Sequence, residues 1–243
     1  MSVPAVRPTY SADHDRAGAM PRPHARVAGA FYLLTTILGM TAVVLDSKLV
    51  VTGNAAATAA NITSHQVVFR LSSISNLLAT VCYVIVTALF YNLFKPVNKN
   101  AALTAAFLSL AGCGMGAVSC AIQLVPLSLL ARGPFVDIFK PEELQGLVMM
   151  LLRASGEAYN TGMIFFGFYC VLIGYLIFHS GFLPKLVGVF MALAGLGWLV
   201  SLWPPLDKAL SSYTMITGLL GEGSLTLWLL IMGVNVQRWR EQG

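Results

Sequence analysis

Four ionisable side chains fall where this chain is otherwise apolar: Arg70, Arg153, Glu157 and Glu222. A charge inside a membrane helix costs a few kcal/mol or more, so each needs a partner or a task. Two chemistries fit. Two positive and two negative groups at similar depth form a structural ion-pair network, since opposite charges in a low dielectric satisfy one another. Alternatively they line a polar site that binds a substrate or moves a proton, with Glu222 or Glu157 as a general acid. Glu222 lies between Gly221 and Gly223, which would clear space around its carboxylate. It is expected to face the bundle interior and approach Arg70 or Arg153.

A second signal runs along one helix. Ser73, Asn76, Thr80, Tyr83, Thr87 and Tyr91 recur at three- or four-residue intervals and share one face, with Arg70 a turn beyond. A polar stripe through a membrane helix faces protein or water rather than lipid. It is read either as interhelical hydrogen bonding, with Ser and Thr bonding back to their own helix, or as the wall of a cavity opening to the outside. The candidate polar site is therefore Glu222, Glu157, Arg70, Arg153, Asn76, Ser73, Thr80 and Tyr83.

Other chemistries find no support in the residue pattern. No His lies within an apolar run, which leaves nothing to hold haem across the bilayer, and no His or Cys spacing suits a metal. Cys82, Cys113, Cys120 and Cys170 read as small apolar packing residues, and Met149-Met150 as filler. No metal and no cofactor is expected, and no Gly-rich phosphate loop or nucleophile elbow is present.

The elements that must carry these residues are six apolar segments, at about 27–45, 67–94, 101–130, 158–178, 183–203 and 213–236. Each is about 20 residues or longer, enough to cross a hydrocarbon core roughly 30 Å thick as a helix. With 57% hydrophobic and 10% charged residues, no soluble fold could bury this surface. The fold class is all-α: a polytopic bundle of six transmembrane helices with short inner turns and longer outer loops. Residues 1–26 read as a disordered cytoplasmic tail, 27–239 as one transmembrane domain and 240–243 as a C-terminal tail. Of the 15 Lys and Arg, nine fall on the side of the termini, including Lys95, Lys99, Lys185, Arg238 and Arg240. The positive-inside bias makes that side cytoplasmic, N-in and C-in. The net charge of +5 thus reflects membrane sidedness, and nucleic acid is not an expected partner.

Local signals refine the boundaries. Asp46 and Lys48 end the first span on the outer face, and residues 53–66 form a polar outer loop, with a short surface helix possible there. Thr63 and Gln66 read as a capping box opening the second span, and Asn61-Ile62-Thr63 matches a glycosylation acceptor. Gly112 and Gly116 make a small-residue face for close helix approach. Pro126 should kink the third span. Pro141 with Glu142 and Glu143 starts a helix running on into the fourth span. Gly181 ends that span, Pro204-Pro205 stops the fifth, and Trp203 and Trp239 suit the two interfaces. No internal repeat is visible, so an inverted-repeat transporter is not supported.

Several stretches carry a family resemblance: RVAGAFYLLTTILG (26–39), VVFRLSSISNLLA (67–79), LFKPVNKNAAL (93–103), the run from Phe165 to Leu199 and GEGSLTLWLLIMGVN (221–235). Together they resemble the bacterial membrane family catalogued as domain of unknown function 4386, with the Ser180-Gly181-Phe182-Leu183-Pro184 turn and the Gly221-Glu222 pair as landmarks. The resemblance implies a multi-helix membrane protein and brings no reaction or cofactor with it.

Three functions remain in view. The leading one is an integral, multi-pass protein of the plasma membrane that binds or transports a small-molecule or lipid ligand through an outward-facing polar cavity. The others are an intramembrane enzyme acting on a lipid or isoprenoid, and a non-catalytic accessory protein. Besides that ligand, the expected partner is the lipid bilayer. The topology is testable: reporter fusions after Asn98 and after Gly133 should report inside and outside respectively, and the reversed pair of results would refute the orientation.

Overall fold

The computed structural model describes residues 22–131 and 138–242. The described chain is all helix and turn: α1 (Arg22–Ser47), α2 (Ala55–Ser64), α3 (Gln66–Phe94), α4 (Lys99–Leu130), α5 (Pro141–Ser180), α6 (Lys185–Leu199) with a 3₁₀ turn (Val200–Leu202), α7 (Pro204–Ile231) and α8 (Val236–Arg240). Six helices are long and apolar enough to cross a membrane, so the molecule is a six-span bundle. They close a ring in the order α1, α3, α4, α5, α6, α7 and back to α1. Both described chain ends lie at one end of the ring, here the terminal end, and α2 lies at the other.

Local chemistry sets the helix ends. The side chain of Asn54 caps α2 at 2.9 Å and that of Asn98 caps α4 at 3.0 Å. Glu143 accepts the Lys140 amide at 2.9 Å, as the expected start at Pro141 requires. At Gly181 the backbone turns left-handed (φ +64°) and ends α5; at Gly233 (φ +70°) it separates α7 from α8. Other boundaries differ from the sequence reading. α1 already begins at Arg22, inside the expected tail, and residues 1–21 and 132–137 lie outside the described residues. Pro204 opens α7 at its first position, well ahead of the expected start at Tyr213, because an N1 proline suits a helix start. α7 also stops at Ile231 rather than near Val236, and α8 fills much of the expected end of the domain. α4 continues through Pro126 to Leu130.

The capping box at Thr63 is also corrected. Thr63 lies within α2 and bonds back to Ala59 O at 2.8 Å, while His65 precedes α3 without a side-chain cap. Nor is α2 a loose surface helix. Thr58 and Ile62 are fully buried, and Asn61 donates to Leu49 O at 3.2 Å instead of standing free as an acceptor for sugar.

Two packed regions hold the ring. The larger fills the terminal half with Tyr32, Phe90, Phe94, Tyr169, Ile177 and Met191 among others. A smaller one at the α2 end joins Leu49, Ile62, Phe69, Leu127 and Val148. Trp239 belongs to the larger region. It is buried and donates its indole N–H to Leu93 O at 2.9 Å, so α8 is a latch rather than an interfacial anchor. Trp203 is exposed.

The closest helix contacts are made by glycine. α5 and α6 run antiparallel, with Gly174 facing Gly188 and Gly167 facing Gly195, a seven-residue step on both helices. A Cβ at Gly195 would stand 2.5 Å from Gly167 O, and one at Gly174 would stand 2.7 Å from Gly188 O. On its other side α5 meets α4, where a Cβ at Gly112 would lie 3.1 Å from Gly162 O and 2.8 Å from the Phe166 ring. The expected small-residue face thus packs most tightly at Gly112; at Gly116 the contact is looser, with a Cβ 3.4 Å from Thr80 Oγ1 on α3 and the Gly116 amide 3.8 Å from a Cβ at Gly162. The interlock sets a clear expectation. Gly195→Ala should lower detergent stability by about 1–3 kcal/mol, the usual range for overpacking. Gly114→Ala, with nothing within 4 Å of a new Cβ, should be neutral or gain up to ~1 kcal/mol of helix propensity. Thermal unfolding of both variants checks the contrast, and equal midpoints would refute it.

Candidate functional site

A cavity of about 560 Å³ occupies the α2 half of the ring. Its wall on α1 extends from Thr35 to Asp46, roughly 16 Å of helix, and Val50 continues it past the helix end. α3 and α4 form the back, and α5 lies opposite α1 without packing against it. Trp198 and Glu222 bring α6 and α7 to the deep end. The larger core fills the terminal half beyond them.

The helices leave this space for identifiable reasons. Gly29 lies against Leu229 and Leu230 near the terminal end, and Arg26 donates to Ile231 O at 3.4 Å. Toward the α2 end these two helices turn to other neighbours. α7 leans on α6 through Thr214, which donates to Gly197 O at 3.3 Å. α1 leans on α3 through Ser72, which donates to Ala42 O at 3.2 Å. The resulting gap leaves the cavity-lining Met40 and Val43 about half exposed, as is Tyr159 on α5 (52%, 60% and 43%).

Two carboxylates mark the cavity at different depths. Near the α2 end, Asp46 Oδ1 accepts from Ser72 Oγ at 2.6 Å and Oδ2 accepts from Gln123 Nε2 at 2.9 Å. Both carboxylate oxygens are thus met by uncharged donors. One turn deeper, Ser119 and Ser155 bridge α4 and α5, each hydroxyl reaching the other's carbonyl at 2.9 Å. Gln123 is four residues toward the α2 end from Ser119, and Tyr159 four residues deeper than Ser155. Tyr159 therefore sits about 12 Å below Gln123.

At that deeper level Glu222 Oε1 accepts from the Trp198 indole N–H at 3.2 Å. Gly218 gives the indole room, since a Cβ there would lie 2.8 Å from the ring. Gly221 admits α6, with a Cβ at that position 2.6 Å from Phe190 O, while Gly223 has open space. The two glycines flanking Glu222 therefore act differently: one sets the helix spacing and only the other leaves the carboxylate uncrowded.

An aromatic floor closes the cavity. Tyr83 packs edge-on against Tyr32 (centroids 5.6 Å apart), Phe166 (4.6 Å) and Tyr169 (6.0 Å). The hydroxyls of Tyr32 and Tyr169 are buried, that of Tyr32 beside Glu222 and Tyr83 and that of Tyr169 beside Tyr83.

Of the sequence-derived candidates, Glu222, Asn76, Thr80 and Tyr83 line the cavity. Ser73 does not; it is buried and bonds back to Phe69 O at 3.3 Å. Thr80 and Thr87 also bond back to their own helix, and Thr87 meets Ser109 at 2.6 Å, so the stripe is part packing and part cavity wall. Arg70, Arg153 and Glu157 are exposed and are not among the residues that line this cavity. No ion pair joins them to Glu222 among the described residues, and the expected charge network is replaced by hydrogen bonds from Trp198 and to Asp46. α5 explains two of these exposures. Its 40 residues extend about 60 Å, twice the hydrocarbon thickness, so its first turns can leave the bilayer and take Arg153 and Glu157 to the interface. Asp46, Ser72 and Gln123 were missed. Asp46 sits where a span ends and reads as an interfacial charge, while Gln123, a polar residue deep in an apolar run, was the available signal.

The fold and cavity define an integral, multi-pass helical membrane protein with a ligand-sized internal site. The family described as Domain of unknown function (DUF4386) matches residues 27–233, and this chain belongs to it. An uncharacterized protein of Archaeoglobus fulgidus is 33% identical over 85 residues, which cover 34% of this chain and 50% of that protein. The chain therefore spans about half the length of the curated relative it matches. No solved structure matches.

The hydrogen-bonding pattern predicts which polar residues matter to stability. Gln123→Leu should cost about 1–3 kcal/mol by stripping a donor from a half-buried carboxylate. Arg70→Ala, at an exposed position, should change stability by no more than about 0.5 kcal/mol. Thermal unfolding in detergent separates the two, and a large loss in Arg70→Ala would restore the ion-pair network.

Proposed function

We propose that this protein binds a small-molecule or lipidic ligand in the cavity between α1 and α5, in the plasma membrane with both termini cytoplasmic and the α2 end outside. The cavity itself carries the reading: its volume falls within the usual 300–1,000 Å³ of ligand sites, and its walls are mainly apolar with a few placed polar groups. Asn76 and Asn160 add polar groups to the wall with no hydrogen bond to other described residues, and so remain available to a ligand. The terminal half, filled by the larger core, supports binding over transport. The gap beside Met40, Val43 and Tyr159 supports entry from the bilayer.

An intramembrane enzyme acting on a lipid or isoprenoid is a second reading, favoured by the tyrosine hydroxyls gathered near Glu222. Glu157 faces away from the cavity, so a version with two paired acids has no support in this geometry. Native mass spectrometry tests the binding reading. Protein extracted gently from membranes should carry a bound molecule that Gly116→Phe, which directs a ring into the cavity, displaces while keeping the melting temperature. Protein that carries no such molecule, or a molecule retained in Gly116→Phe, would count against it.

A further inference from the structure

Resting on the cavity-binding reading above, we infer that the ligand is a hydrophobic organic cation, an amine or onium compound, held with its positive centre near Glu222. Charge is the first argument. Asp46 and Glu222 both line the cavity, and among the described residues no Lys, Arg or His does. The basic residues that sequence spacing offered as partners, Arg70 and Arg153, are exposed elsewhere. Among the described residues each carboxylate is met by neutral groups: Ser72 and Gln123 at Asp46, and Trp198 with Tyr32 at Glu222. Trp donates only, so the Glu222 oxygen it meets is held as an acceptor. An acidic lining in a low-dielectric setting attracts a cation and repels an anion far more strongly than it would in water.

The walls supply the second argument. Tyr83, Phe166, Trp198 and Tyr159 all line the deep part of the cavity, and the negative faces of aromatic rings attract organic cations. The buried Tyr32 hydroxyl, beside the same carboxylate, adds an oxygen lone pair there. An inorganic cation fits poorly. Among the described residues, no three His, Cys, Asp or Glu side chains come together as a metal site, and the space is far larger than one ion. The gap between α1 and α7 adds an entry route suited to a cation that partitions into lipid.

The test uses three compounds of similar shape on the purified full chain in uncharged detergent: tetraphenylphosphonium, neutral triphenylphosphine oxide and tetraphenylborate. The cation should bind saturably and the borate should not. Glu222→Gln should weaken the cation about tenfold, equivalent to ~1.4 kcal/mol, and leave the neutral compound unchanged. If Glu222→Gln does not purify folded, the preference of the unmodified protein for the cation over the neutral compound and the borate carries the test. Equal binding of all three, abolished by Gly116→Phe, would overturn the cation proposal and leave the cavity reading standing. Failure of every compound to bind, or binding that survives Gly116→Phe, would overturn both.

Discussion

Close backbone approach along α5 constrains everything else in this bundle. Lipid offers helices no hydrophobic drive to associate, so contact must come from packing, and packing is tightest where side chains are absent. Gly167 and Gly174 bring α6 against one side of α5, while Gly162 brings α4 against the other. α5 is thereby fixed on two sides with little freedom to tilt. α1 has no comparable seam with it and attaches to α3 and α7 instead. The space that remains between α1 and α5 is the cavity. An internal void in a membrane bundle can thus follow from where the glycines are as much as from where the large residues are.

The second constraint is that a carboxylate against largely apolar walls needs hydrogen-bond donors. The structure meets it with neutral donors rather than opposite charges. Asp46 and Glu222 are partnered by Ser72, Gln123 and Trp198. Pairing a carboxylate with an arginine would have joined the helices by charge but consumed the negative charge in the process. Neutral donors hold the carboxylates in place and leave their charge in the cavity. The same device appears in uncharged form one turn away, where Ser119 and Ser155 join α4 to α5 by reciprocal hydroxyl–carbonyl bonds.

The spans were legible because length and apolar content alone decide whether a helix can cross a bilayer, and α5 and α7 simply extend beyond the apolar minimum. Glu222 was legible as a buried acid for the same reason: it interrupts an apolar run. Its partner was not, since a tryptophan two turns before a proline pair reads as an interfacial residue, and only the room left by Gly218 aims its indole at the carboxylate. Arg70, Arg153 and Glu157 were overread because spacing reports position along a helix but not whether that depth is still inside the membrane. Asp46 was underread because a charge at the end of a span reads as interfacial whether its side chain turns outward or, as here, inward to Ser72 and Gln123. The glycine interlock was present as a seven-residue step on two neighbouring helices, a period shared with ordinary packing and therefore hard to separate from it.

The α8 latch has a consequence for how the terminal end of the bundle moves. Trp239 bonds to Leu93 across 146 residues of sequence, Arg238 to Gly181 O at 3.1 Å and Gln242 to His179 O at 3.3 Å. One short helix thus clasps both the end of α3 and the α5–α6 turn, two places that the glycine seams leave to other contacts. Undocking α8 would loosen those two helix ends together while the α5–α6 interlock stays closed.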